Sequence, residues 1–311
     1  MRVVIDNDYA GDPDDLFQTA HHLFSPSVEV RAIVASVPKA GDPLCRSGEP
    51  AAESARIARE LLRVMRLEGE LPVHEGAASG LRDGRTLAAS AGSAAIVEEA
   101  MREDAGTPLF VVCGGGLTSL ASALITEPRI AGRMTAVWIG GAEHPGLALP
   151  PPGASGPEYN ASIDIEAVRY VFGRRDLPLW QVPRNAYRQC LVSLAELERR
   201  VLPRGPLGRY LYESIERALA IYAEGGLELG ETYALGDSPL VSLTALQSAF
   251  DPDPSSCEYA LVDRPSVEAD GSYGPAAGGA KMRVYGRIDT RLLFEDLFAK
   301  LERFAEEGRG A

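Results

Sequence analysis

Five aspartates fall within ten residues in the stretch Val3-Val-Ile-Asp6-Asn-Asp8-Tyr9-Ala-Gly-Asp12-Pro13-Asp14-Asp15. An apolar run ends at Asp6, and a helical pattern opens at Asp14-Asp15-Leu-Phe. Helix capping explains part of this. Asp12 suits an N-cap, Pro13 the first helical position, and Asp14 and Asp15 complement the helix dipole. Capping leaves Asp6 and Asp8 unexplained. Carboxylates converging on one turn repel unless a cation neutralises them, and all-oxygen ligation selects a hard ion, Ca²⁺ or Mg²⁺, over zinc.

Two more segments carry chemistry-bearing residues just after apolar runs. Cys113-Gly-Gly-Gly-Leu-Thr118-Ser lets backbone approach a ligand closely, although a tight strand-to-helix turn would use the same glycines. Gly236-Asp237-Ser-Pro-Leu puts one aspartate before an apolar helix, where taken alone it reads as an N-cap. His144 lies in a long loop, 142–157, that holds five prolines and three glycines and so is neither helix nor central strand. His21, His22 and His74 read as structural.

The elements that must position these residues follow a repeated order of short apolar run, turn and helical period. Val3–Ile5, Val28–Ala35, Leu109–Cys113, Ala136–Ile139 and Leu179–Val182 read as buried strands. Helical patterns cover Ala52–Met65, Ser93–Arg102, Leu117–Thr126, Leu207–Tyr222 and Thr290–Phe304. This alternation predicts an α/β fold: a mostly parallel open sheet covered by helices on both faces, in which ligands bind beyond the strands' carboxyl ends. Asp263–Ala280, rich in Gly and Pro, reads as a loop linking edge elements. No internal repeat or linker divides residues 1–311, so one domain is expected.

Composition narrows the function classes. The 311 residues carry 31 Lys and Arg against 44 Asp and Glu, a formal charge of −13, which argues against nucleic acid or anionic membrane as a partner. No apolar run is long enough to span a bilayer, and the N-terminus turns acidic too early for a signal peptide. The four scattered cysteines form no disulfide framework, so a reducing, cytoplasmic setting is expected.

In order along the chain, these motifs resemble the nucleoside hydrolase family, enzymes that cleave the N-glycosidic bond of ribonucleosides with a bound Ca²⁺. The family's D-x-D-x-G-x-D-D turn is matched by Asp6, Asp8, Asp14 and Asp15, and its G-P-L-T-N-L segment by Gly115-Gly-Leu-Thr118-Ser-Leu. Trp138-Ile-Gly-Gly, Glu158-Tyr-Asn160, Asp164-Ile-Glu-Ala and Asp237-Ser-Pro-Leu follow in the family's order, and Leu71-Pro-Val-His-Glu-Gly-Ala looks like its P-V-x-x-G-A strand. The resemblance implies that Asp8, Asp15, the Thr118 carbonyl and Asp237 hold Ca²⁺, with Asp8 as general base on the attacking water. It also implies that Asp14, Glu158 and Asn160 hold the ribose of a small-molecule riboside, in a homo-oligomer (a dimer or tetramer).

Three departures bear on the chemistry. The aspartate turn is two residues longer than the family's, so Tyr9 or Asp12 is expected to enter the pocket. The His that many members carry before the late aspartate, as leaving-group acid, is Gly236 here; His144 is the best replacement, with Tyr187 and Tyr159 behind it. The Gly-Asn usual after the second strand is replaced by Ala35-Ser-Val-Pro. A Ca²⁺-dependent sugar-binding member without turnover is the second reading. A DxD phosphatase of the haloacid-dehalogenase type fits worse, because it wants a lysine between the first motif and a late Gly-Asp, and Lys39, Lys281 and Lys300 are all misplaced.

Overall fold

The computed structural model describes residues 1–81, 88–248, 250 and 255–308. Strands β1 (Arg2–Asn7), β2 (Glu29–Ala35), β3 (Val73–Glu75), β4 (Leu109–Cys113), β5 (Met134–Ile139) and β6 (Leu179–Val182) alternate with helices in the expected way. The first helices are α1 (Asp14–Leu23), α2 (Pro50–Val64), α3 (Ala91–Met101) and α4 (Thr118–Thr126). Then come α5 (Tyr159–Ile163), α6 (Ile165–Gly173), α7 (Arg184–Tyr187), α8 (Leu194–Arg200), α9 (Gly205–Glu224), α10 (Pro239–Thr244) and α11 (Thr290–Glu307). The remaining strands are β7 (Leu191–Ser193), β8 (Thr232–Ala234), β9 (Glu258–Val267) and β10 (Tyr273–Arg287).

The main sheet has eight strands in the order β3-β2-β1-β4-β5-β6-β10-β9, all parallel except β9, which runs antiparallel to β10. The strands carry continuous apolar runs because both faces are covered. Along β1, Val3 and Ile5 point into one core layer with Leu16, Leu61, Leu211 and Leu297. Val4 points into the other, with Ile96, Leu120 and Phe172. The chain leaves β1 toward β2 and β3 and later returns to β4 on the opposite side. The gap between the carboxyl ends of β1 and β4 is therefore the topological switch point, where open α/β sheets bind ligands.

Two expectations change. Residues 263–280 are not a linking loop: most of them belong to the β9–β10 hairpin, paired at Val267–Tyr273, Asp263–Lys281 and Ala260–Val284. Pro265 is tolerated because β9 is an edge strand. Helix α1 begins at Asp14 with Pro13 at its N-cap, and no side chain caps it there. Residues 142–157 are irregular, as their prolines dictate. A small antiparallel ribbon, β7–β8, extends toward the same end of the sheet. No helix among the described residues is long and apolar enough to cross a membrane.

Candidate active site

The carboxylates of the N-terminal cluster sit at the switch point, Asp6 on β1, Asp8 and Asp12 on the turn after it, and Asp14 and Asp15 on the first turn of α1. Asp6 is still within β1 and fully buried; one oxygen accepts the Ser36 hydroxyl and the other has no partner. Asn7 clamps the strand ends together, taking the Gly114 N–H at 3.2 Å and donating to Gln18 at 2.8 Å. The turn then closes by Gly11 N–H to the Asp8 carbonyl at 2.7 Å. Asp12 accepts the Asp14 N–H at 3.2 Å and the Tyr233 hydroxyl at 3.1 and 3.0 Å, which ties the turn to β8. Asp14 in turn accepts the Asp237 N–H at 3.0 Å.

Asp14, Asp15 and Asp237 bring carboxylate oxygens within 4.8 Å of one another. Asp15 Oδ1 and Asp237 Oδ2 are buried with no hydrogen-bond partner, which is costly for a carboxylate unless a cation is its partner. The glycines after β4 make room for this set. A Cβ on Gly114 would lie 1.8 Å from Asp237 Oδ2, and one on Gly115 would lie 2.4 Å from Asp8 Oδ1. Asp237 is not an N-cap: Ser238 precedes α10, and no side chain caps that helix.

Burial raises the pKa of every member. Asp8 is pushed up to about 8 by burial, with the charges of Asp42, Asp12 and Asp6 adding to it. Asp6 rises to about 7 and Asp12 to about 6, again chiefly by burial. Asp14, Asp15 and Asp237 are raised well above the usual carboxylate range by burial and by one another's charges. Such a group cannot be fully ionised at neutral pH without a counter-cation. The donor set, all oxygen and acidic, fits a hard divalent ion.

A cavity of about 210 Å³ opens over the cluster. Asp8, Asp12, Asp14, Asp237, Gly114 and Gly236 line one part of it, with Ile139, Glu158, Asn160 and Tyr187 from the β5 and β6 ends. Asp42, Tyr159, Tyr222 and Ala234 complete it. Glu158 is buried and fully engaged: it accepts the Gly141 N–H at 2.7 Å, the Ala161 N–H at 3.1 Å and the Tyr187 hydroxyl at 2.8 Å. Asn160 donates to the carbonyls of Gly114 and Ile139 at 2.6 and 2.8 Å. It thereby staples the ends of β4 and β5.

The structure therefore gathers Asp8, Asp14, Asp15, Asp237, Glu158 and Asn160 at one place, but not every expected residue. His144 does not line the cavity. It stacks on Tyr273 at 4.3 Å between ring centroids and its Nε2 is held by Gln181 at 2.8 Å, while burial lowers its pKa. Of the two residues expected from the longer turn, Asp12 enters the cavity and Tyr9 does not. Tyr9 turns into the core, its hydroxyl bonded to Thr19 at 2.7 Å. The Thr118 hydroxyl is bonded to Asp164 at 2.8 Å, and Asp164 also accepts the Leu81 and Ala167 N–H groups. Asp42 and Tyr222 were not anticipated. Asp42 lies in a Gly-Asp-Pro turn that carries no chemical signature, and Tyr222 ends a helix that reads only as amphipathic.

Fold and site together define an α/β protein built like the solved nucleoside hydrolases. A purine-preferring ribonucleoside hydrolase from Gardnerella vaginalis superposes with a TM-score of 0.76 at 18% identity, covering 98% of this chain and 99% of that one. A plant nucleoside hydrolase gives 0.73 at 20% identity over 97% and 98%. The type III effector XopQ, in complex with adenosine diphosphate ribose, gives 0.61 at 17% identity over 98% and 91%. No curated protein matches the sequence. The sequence model of the inosine-uridine preferring nucleoside hydrolases matches residues 3–276, and the chain belongs to that family. It is a glycosidase of the N-ribohydrolase type.

Proposed function

We propose that the protein is a Ca²⁺-dependent hydrolase of the N-glycosidic bond of ribonucleosides or related ribosides. The observation that carries this is the Asp14–Asp15–Asp237 set with its two unpartnered buried oxygens, next to Asp8 at the switch point. Asp15 and Asp237, with Asp8 and the Thr118 carbonyl, are the proposed ligands of the ion. When bound, Ca²⁺ lowers the pKa of the attacking water and orients ribose hydroxyls.

The protein's own groups do the rest. Asp8 takes the proton from the attacking water, and the bare Gly115 beside it leaves its carboxylate room to do so. Asp14 accepts a ribose hydroxyl. Both Asn160 amide protons are already committed, so its contact with the sugar comes from its carbonyl oxygen. Glu158 faces the cavity with its charge delocalised over three donors. Carboxylates below the ring stabilise the positive charge that develops on an oxocarbenium-like transition state.

The leaving-group side is bare by comparison. Gly236 offers no proton, and the Tyr187 hydroxyl is directed at Glu158. A sugar-binding protein without turnover is therefore the second reading, favoured by that missing acid. Two substrates separate them: p-nitrophenyl riboside leaves without protonation, whereas inosine does not. Cleavage of the first, abolished by chelation and lowered about 10²–10⁴-fold in Asp8→Ala, is expected. Ribose binding with no turnover of either substrate would establish the second reading, and full activity in Asp8→Ala would sink the assignment. The same proposal takes residues 1–311 as one domain in a cytoplasmic homo-oligomer, dimer or tetramer, with light scattering as its check.

A further inference from the structure

We infer that this cavity selects ribosides whose leaving group is already cationic at the glycosidic nitrogen, N-ribosylpyridinium compounds being the class. The inference rests on the riboside-hydrolase reading above. Three observations carry it.

The first is charge. The cavity lining contains the carboxylates of Asp8, Asp12, Asp14, Asp42, Glu158 and Asp237 and, among the described residues, not one Lys, Arg or His. One divalent ion held by Asp8, Asp15 and Asp237 leaves Asp12 and Asp42 unbalanced. Among the described residues no Lys or Arg pairs with either. Asp12 accepts from uncharged donors, the Tyr233 and Tyr222 hydroxyls and the Asp14 N–H. Asp42 accepts only from Tyr159 and the Leu44 N–H, the latter at 2.8 Å. Both are charge-bearing walls that await a positive partner.

The second is the aromatic lining. Tyr159, Tyr187 and Tyr222 border the same space. Aromatic rings beside carboxylates make the environment that recognises quaternary nitrogen, through cation–π attraction and charge together. The third is the missing acid. Gly236 stands where a proton donor would be needed for a neutral base, and His144 is tied to Gln181 away from the cavity.

A pyridinium leaving group removes that need. When its C1′–N bond breaks, both electrons pass to the ring nitrogen, which becomes a neutral pyridine. Hydroxide from the attacking water ends on C1′, and the remaining proton leaves through Asp8 to solvent. Nothing has to protonate the leaving group. A neutral base, by contrast, departs with developing negative charge into a carboxylate wall. The carboxylates that line the cavity also repel phosphorylated ribosides.

The test compares kcat/KM of the full-length Ca²⁺-loaded protein for 1-(β-ribofuranosyl)pyridinium, inosine and p-nitrophenyl riboside. The pyridinium compound should exceed inosine at least about tenfold, and its 5′-phosphate should fall at least about tenfold below it. The double variant Asp12→Asn/Asp42→Asn should narrow the pyridinium-to-inosine ratio by about tenfold. Should that variant not fold, the wild-type protein decides: 1-methylpyridinium should inhibit at least about tenfold better than neutral 4-methylpyridine. Inosine turned over as well as the pyridinium riboside, or equal inhibition by the two rings, overturns the inference while leaving the hydrolase reading standing. No cleavage of any of the three substrates overturns the hydrolase reading and this inference with it.

Discussion

The carboxylate of Asp14 is held by the backbone of Asp237, and the two are neighbours only because of the fold. Single residues in this protein divide into those that close spacing reveals and those that folding recruits. Asp6, Asp8, Asp14 and Asp15 were legible because repulsion makes such density improbable without a purpose. Asp42 was not, since a lone aspartate in a turn is ordinary. Tyr9 and Asp12 were equal candidates in sequence, and the turn geometry decided between them by sending the phenol to Thr19. His144 was attractive as the one histidine in a loop after a strand end, but no spacing rule reveals that Gln181 and Tyr273 will bury it. We therefore expect His144→Ala to cost about 1–3 kcal/mol of stability through the lost hydrogen bond and ring contact. Its kcat/KM for p-nitrophenyl riboside should stay within about threefold of wild type. A hundredfold loss in a folded variant would restore His144 to the chemistry.

Strands were easier to read than their partners. The parallel strands β1, β2, β4, β5 and β6 announce themselves as apolar runs, whereas the short β3 is half-exposed and the β9–β10 hairpin is partly exposed and interrupted by Gly and Pro. The hairpin's docking beside β6, at Arg283–Trp180 and Val284–Gln181, is long-range information that local composition hides. The β4–α4 turn makes the clearest prediction at this scale. In Gly114→Ala the new methyl would collide with Asp237 Oδ2, so Ca²⁺ affinity by calorimetry should fall about 10–100-fold. Gly106→Ala, which meets open space, is the control and should change nothing. Helix α1 carries a pH dependence of its own. His22 is buried between Gln18 and Thr244 of α10, its Nε2 at 2.7 Å from the Thr244 hydroxyl, and burial drives its pKa down to about 3. Below pH 6.5 the unfolded chain binds a proton that the folded one refuses. Stability present above 6.5 is thus lost on acidification toward 3, at up to about 1.4 kcal/mol per pH unit for this one group. Urea midpoints at pH 7 and pH 5 should draw apart less in His22→Gln than in wild type.

For the whole molecule, the charge of −13 argues against nucleic acid and anionic membrane, and part of it is concentrated in one cleft. That concentration predicts how chelation acts. Without an ion, Asp6 and Asp8 hold their protons up to about 7 and about 8, whereas in the unfolded chain they release them near 3.8, as ordinary aspartates do. The metal-free fold therefore loses stability as pH rises from about 4 to 8. Chelation should lower the melting temperature more at pH 8 than at pH 5. An equal drop at both would show that the cluster is not what the ion stabilises. The hydrogen bond from Asp237 to Asp14 spans 223 positions of chain, and an ion bound there would join the turn after β1 to the one before α10. It would act as a removable clasp on a very large loop. Closing such a loop costs an unfolded chain on the order of 5 kcal/mol in entropy. A chain refolding around Ca²⁺ would thus close that clasp once the strands between its two ends are in place, and catalytic competence would double as proof that the chain had been threaded correctly from β1 to α10.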